Sequence, residues 1–355
     1  MQLSRESSSP VGATTTAAGI PDATAVPTQG AGSRTKLLSG LLQRHSILLL
    51  IVVLIIVFSV LAPDTFPTVA NFQGLALQNS VATLLALSVL MVVVIGEFDL
   101  SVGYTLGLAA VLAAKLSSEL GMSVGMTLLI TIGVGTLVGL ASGLLVARLK
   151  VVSLIATLGV GLAVSGITVG VSGGQTISMN IPPFFSDLVQ TRILGVASAV
   201  WIVMAVAAVI YIALTRTPAG SKIYATGGSE RVAEMVGIRV PLLKCVMFAL
   251  AGATAALAGI LQLGLAGAAN PSFGANLLLP AFAAVFLGST TVRPGIFNVV
   301  GTLLAVTLLA VGFSGLSLLG APFWLQPVFN GSALIVGVIL SKLVTSAHGQ
   351  RSPQR

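Results

Sequence analysis

The sequence predicts an all-α integral membrane protein: about ten transmembrane helices, arranged as two five-helix inverted repeats with both termini cytoplasmic. Three observations predict it. Of 355 residues, 55% are hydrophobic and only 7% are charged. A soluble chain carries about 25% charge, because charge is what covers its surface. Ten apolar segments follow one another, most near the ~20 residues that cross a bilayer core. The basic residues collect on alternate loops, the bias that marks the cytoplasmic side. The 40 glycines, set against only 5% aromatics, fit helices that approach closely in lipid.

The elements run in this order. Segment 46–62 ends at the turn Pro63-Asp64-Thr65-Phe66-Pro67. Segment 72–95 leads into Gly96-Glu97-Phe98-Asp99, and a short segment, 100–114, follows. Segment 121–147 stops at Arg148-Leu149-Lys150, and 151–171 gives way to a polar stretch from Ser172 to Arg192. Segment 193–214 precedes a longer polar stretch between Arg216 and Lys244. Segment 243–266 ends before Asn270-Pro271-Ser272-Phe273-Gly274. A second short segment, 277–288, is closed by Arg293-Pro294-Gly295, and 295–319 and 323–341 complete the set.

With the N-terminus inside and the segments alternating, only Lys115 and Arg192 of the 17 Lys and Arg fall outside. An added or missing span in the middle would scramble that bias. The 216–244 stretch is then cytoplasmic and the 172–192 stretch external. The ten segments divide five and five around the external stretch. The third of each half is the short one, which is the sign of an inverted repeat. Residues 1–33 are rich in Ser, Thr, Ala, Pro and Gly and read as a disordered cytoplasmic tail. They do not read as a cleavable signal peptide, because the first apolar stretch starts near Ser46. Residues 34–345 form the membrane domain, and 346–355 a short cytoplasmic tail.

Several chemistries are excluded. The net charge of +8 is spread over short loops and is not a nucleic-acid footprint. One cysteine, Cys245, rules out an internal disulfide, and neither His45 nor His348 lies within the apolar region. No Gly-x-x-x-x-Gly-Lys-Ser/Thr occurs, so the chain carries no P-loop, and any ATP site must lie on a partner. Gly170-Val171-Ser172-Gly173 has the shape of a nucleophilic serine turn but lacks a base within reach, and it reads as a helix end.

The remaining candidates are polar groups near membrane depth. Glu97 and Asp99 are either a proton site or, for Asp99, a cap on the helix that starts after it. A proton relay calls for buried Lys, Arg or His partners, and the sequence reveals none. On this reading Asp99 matters more than Glu97, and Glu97→Gln is mild. Gln73, Gln78, Asn79, Thr157, Gln262, Gln326 and Asn330 lie inside segments, and either line a pathway or bond between helices. Gln175 and Asn270 join them as pathway candidates. In the cytoplasmic stretch, Ser229 suits a helix N-cap, Glu230 its positive end and Gly237 the left-handed position after it. That short helix leaves Val232, Met235, Val236 and Ile238 in need of a partner surface.

Four blocks carry a family resemblance. Ile95-Gly96-Glu97-Phe98-Asp99-Leu100-Ser101-Val102-Gly103 is the first. Ile155-Ala156-Thr157-Leu158-Gly159 with Ser172-Gly173-Gly174-Gln175-Thr176-Ile177 is the second. Ile223-Tyr224-Ala225-Thr226-Gly227-Gly228-Ser229-Glu230, on through Ala233 to Gly237-Ile238, is the third. Leu287-Gly288-Ser289-Thr290-Thr291 with Pro322-Phe323-Trp324 is the fourth. Together they resemble the permease subunits of bacterial ABC importers for monosaccharides, of the ribose, xylose and galactose type. The resemblance runs from about residue 70 to 341. Departures are Glu97 where the family usually has Gly, Ser165 where Arg is common, the acid-free run Leu277 to Leu279, and Arg293-Pro294-Gly295.

The resemblance implies a permease without enzymatic activity in the bacterial plasma membrane. It implies a cytoplasmic ATP-binding subunit that carries ATP and Mg, a second permease subunit, and an extracytoplasmic sugar-binding protein. Gly227, Gly228, Ser229, Glu230, Ala233, Glu234 and Gly237 would face the ATPase. No cofactor is expected in this chain. The alternatives are a sister permease for branched-chain amino acids or nucleosides, and a gradient-driven transporter using Glu97 and Asp99.

Overall fold

The computed structural model describes residues 45–349. The expected tail 1–33 and the last residues of the expected tail 346–355 lie outside the described residues.

The described chain is helical apart from one small hairpin. In order it forms α1 (Ser46–Leu61), α2 (Val69–Gln78), α3 (Ser80–Val93), α4 (Ser101–Ser118), α5 (Val124–Ala147), α6 (Ser153–Ser172) and α7 (Pro183–Gln190). The hairpin β1 (Arg192–Ile193) and β2 (Val196–Ala197) is antiparallel, with Arg192 opposite Ala197. Then come α8 (Ser198–Arg216), α9 (Pro218–Gly228), α10 (Glu230–Met235), α11 (Val240–Ala266), α12 (Phe273–Gly288), α13 (Val299–Leu318) and α14 (Leu325–Gly349).

Each expected apolar segment coincides with one helix or one bent pair. Seven helices are long and apolar enough to cross a membrane, α2 and α3 form a pair bent by 43°, and α1 and α12 are shorter apolar helices. The chain is therefore an all-α, multi-pass membrane protein. The bend falls at Asn79, whose side-chain amide donates to the Leu75 carbonyl at 2.9 Å. A side chain that competes for backbone partners breaks the helix there. The expected short third segment is not short: α4 has 18 residues. The polar residues Lys115, Ser117 and Ser118 end the apolar signal without ending the helix. α12 does stay short, at 16 residues with Pro280 inside it.

The core is α3, α4, α11 and α12, whose side chains include the fully buried Leu84, Leu87, Leu90, Leu106 and Leu261. Glycine sets the approach between helices. A Cβ on Gly139 of α5 would stand 2.1 Å from the Phe248 carbonyl of α11, and one on Gly252 would stand 2.1 Å from the Gly135 carbonyl. Backbones this close leave no room for a side chain, and small residues at four-residue spacing bring that about. The 172–192 stretch that reads as loop contains α7, which docks on α11 by the same device at Gly264 and Phe185.

Candidate functional site

The chemistry-bearing residues gather where the 94–100 turn meets the stretch between α8 and α11. The turn begins at Gly96, whose φ of +83° suits a residue without a Cβ. Its backbone donors are then taken up by side chains of other helices. The Phe98 N–H donates to Ser153 Oγ at 3.2 Å and the Leu100 N–H to Thr157 Oγ1 at 3.0 Å. Both acceptors belong to the first two turns of α6. Asp99 is fully buried. Its Oδ1 accepts from the Ser101 N–H at 2.8 Å and from the Ser101 hydroxyl at 2.5 Å. Leu100 already has helical dihedrals, so Asp99 caps α4, as the sequence suggests. Ser101 Oγ also lies 3.2 Å from Ser142 Oγ of α5. Phe98 stacks on Phe282 and Phe286 of α12, with ring centroids 6.2 and 6.1 Å away.

The other wall is built by α9 and α10. Thr217 caps α9 and Pro218 opens it. The Tyr224 hydroxyl donates to the Phe297 carbonyl at 3.0 Å. Burial pushes this phenol above its usual range, against the pull of Arg293. Gly227 packs on the end of α3: a Cβ there would stand 2.0 Å from the Val94 carbonyl. Gly227 is therefore a point of close approach and not a hinge. Ser229 Oγ accepts from the Val232 N–H at 3.4 Å, and Glu230 occupies the first turn of α10. Gly237, at φ +82°, ends the helix. The Ile238 N–H donates to the Ala233 carbonyl and the Gly237 N–H to the Glu234 carbonyl, both at 3.0 Å. This paired closure is the one a left-handed glycine makes possible. Ala233 is buried, while Val232, Met235 and Val236 are exposed.

Lys244, one turn into α11, joins the two walls. It is 5% exposed. Its Nζ lies 2.7 Å from Glu97 Oε1 and 2.8 Å from Glu230 Oε2. The expectation that Glu97 has no buried cationic partner is overturned. The sequence places Lys244 147 residues from Glu97, and only folding brings them together. Lys244, Ser153 and Ser142 are the residues that sequence reasoning missed. The available signal was a lysine inside the apolar run Leu242-Leu243-Lys244-Cys245-Val246, which needs a partner if it is buried.

The structure brings Asp99, Thr157, Gly227, Glu230 and Glu97 to this junction. Thr157 serves there as an acceptor for the turn. The other pathway candidates are dispersed. Gln78 is exposed at the end of α2, Gln262 is buried on α11, and Asn330 is half-buried on α14. Asn79 borders an apolar cavity of about 260 Å³ between α2, α3, α8 and α13, which Thr83 and Thr307 also line. Gln175 and Asn270 lie in neighbouring exposed segments, where the Asn270 amide approaches Thr176 Oγ1 at 3.4 Å. Among the described residues no cluster of His, Cys, Asp and Glu is placed to hold a metal.

Residues 71–339 match the family described as "Branched-chain amino acid transport system / permease component". The chain belongs to this family. The ribose import permease protein of Escherichia coli K12 is 30% identical over 316 residues, covering 88% of this chain and 98% of that protein. That of Bacillus subtilis is 32% identical, covering 85% and 94%. The L-arabinose ABC transporter permease protein of Azospirillum brasilense is 28% identical, covering 91% and 93%. No solved structure matches. The permease thus spans nearly the whole length of these relatives.

Proposed function

We propose that this permease is the membrane-spanning subunit of an ATP-binding-cassette importer and that its cargo is a sugar or sugar-like polyol. The observation that carries the reading is end-to-end similarity to import permeases for ribose and L-arabinose. The family description names branched-chain amino acids, but the relatives named above, aligned along nearly their whole length, are permeases for ribose and L-arabinose.

In this reading the chain lies in the bacterial inner membrane with ten spans and both termini inside. Residues 34–345 form the translocating domain, and residues 1–33 and 346–355 are cytoplasmic tails. The two five-helix halves are inverted repeats. Two such subunits, alike or different, enclose the pathway in membrane lipid. A binding protein delivers solute outside, and ATP and Mg act on a partner subunit inside. The surface from Gly228 to Gly237 meets that partner, because the capped, closed helix α10 and the Val236 that follows it expose Val232, Met235 and Val236. ATP binding biases which side the halves open to.

The test is uptake in proteoliposomes holding the permease, its ATPase and its binding protein, screened over pentoses, hexoses, polyols and branched-chain amino acids. ATP-dependent accumulation of a sugar or polyol supports the reading. Accumulation of only an amino acid overturns the cargo. Single cysteines at Ser229 and Asn180, in a Cys245→Ala background, should label from opposite sides with an impermeant reagent.

A further inference from the structure

We infer that Lys244 is a positioning residue for energy coupling: it holds α10 and the 94–100 turn as one body, so that force on α10 reaches the starts of α4 and α6. The inference rests on the importer reading above and names the residues that carry the force.

Little else holds α10. Of its six residues only Ala233 is buried. The chain returns to α11 through Val236, Gly237, Ile238 and Arg239. Pushing such a helix would bend its connections before moving anything else. Lys244 removes that slack. An ammonium has three donors and a compact charge, so one side chain can hold two carboxylates from different elements. The two arms differ. The Glu97 side chain is 17% exposed and the Glu230 side chain 52%. Shielding from water strengthens an ion pair, so Glu97 is the tight arm and Glu230 the arm that an approaching partner can reach. Lys244 therefore ties the reachable arm on α10 to the shielded one on the turn.

The turn passes the force on. Its other side donates to Ser153 and Thr157 of α6, and Asp99 caps α4. Phe98 rests on α12. Gly227 against the Val94 carbonyl gives a second, backbone contact between the two walls, which resists compression. The ion pair supplies what that contact lacks, which is resistance to separation.

The test has two readouts. Spin labels at Met235→Cys and Leu149→Cys, both exposed positions, in a Cys245→Ala background, report the α10 position in the permease alone. A single narrow distance is expected, broadening in Glu230→Gln and in Glu97→Gln. In proteoliposomes with the ATPase and binding protein, solute taken up per ATP hydrolysed should fall by about 5-fold or more, the usual span of a coupling between sites. Glu230→Gln leaves the Lys244–Glu97 pair intact, so it reads coupling without loss of fold. Glu230→Asp, which keeps a carboxylate for Lys244 and leaves the Glu97 arm untouched, should keep more of the narrow distance and of the coupling ratio than Glu230→Gln. Unchanged distances and full coupling in both glutamine variants would overturn the inference. If the unaltered permease with its partners takes up no solute at all, the importer reading has failed, and the spin-label distances still decide whether Lys244 holds α10.

Discussion

Two turns lead into the paired inner helices, α4 and α12, and they are built alike but held differently. Asp99 Oδ1 accepts the Ser101 N–H at 2.8 Å, and Asn270 Oδ1 accepts the Ser272 N–H at 2.8 Å. The same separation along the chain links Asp99 to Asn270, Ser101 to Ser272, Gly103 to Gly274 and Gly107 to Leu278. The glycines meet: a Cβ on Gly274 would stand 2.0 Å from the Gly103 carbonyl and 2.8 Å from the Gly107 nitrogen, and one on Gly103 would stand 3.1 Å from Leu278 Cβ. That exchange of partners supports the inverted repeat proposed above.

Their surroundings differ. The 94–100 turn hands its donors to α6 and its charge to Lys244, and Asp99 is fully buried. The 267–273 turn is largely exposed, pinned by backbone bonds between Ile177 and Ala269 and by the weak Asn270–Thr176 contact. The buried turn finds acceptors for the Phe98 and Leu100 N–H groups within the protein, although Asp99 Oδ2 has no hydrogen-bond partner among the described residues, whereas an exposed turn leaves polar groups to solvent. One turn is thus an anchor for the helices around it, and the other is free to respond to what reaches it from its own side.

Six substitutions sharpen or break this contrast. Gly274→Val strikes the crossing shared by both turns, where the obstacle is backbone and cannot rotate away. Overpacking should cost about 1–3 kcal/mol or more, read as lost monodisperse yield. Gly159→Val, where a Cβ meets open space, is the control and should purify normally.

Asp99→Ala comes next. It strips the Ser101 N–H and hydroxyl of their buried acceptor, an expected loss of about 1–3 kcal/mol seen as a lower melting temperature in detergent. Asn270→Ala removes the same local bond in the exposed turn and should cost only about 0.5–1 kcal/mol. Equal melting losses for Asp99→Ala and Asn270→Ala would break the contrast between anchored and open turns.

The smallest effect is also the most even. Gly96 and Gly267 have φ of +83° and +63°. An alanine at either meets a local backbone cost of about 1 kcal/mol, whatever lies around it. Thermal melts of Gly96→Ala and Gly267→Ala should therefore shift alike. A much larger loss at Gly96 would mean that its neighbour Gly227 also resists the added carbon.

Much of the fold was legible in the chain because its causes are local or cumulative. Apolar length marks helices in lipid, and basic loops mark a side. Asp99 before Leu100-Ser101 announces a cap, and Ser229, Glu230 and Gly237 announce a short closed helix. The cap and the short helix need only neighbours a few residues away, and both are present in the structure. The Asn79 break, the full length of α4 and the helix α7 were not legible. They depend on which of several weak local options the surrounding helices favour.

The junction itself was decided by tertiary structure alone. Nothing local tells that Lys244 reaches Glu97, that Thr157 turns to the Leu100 N–H, or that Gly227 sits on the Val94 carbonyl. Residue composition determined that the chain is a bundle of helices in a membrane, since transfer from water into lipid sums over residues regardless of partner. Pairing does not sum in that way. A buried charge or an unsatisfied donor is tolerated only beside one particular group, and which group arrives there depends on how the whole bundle packs.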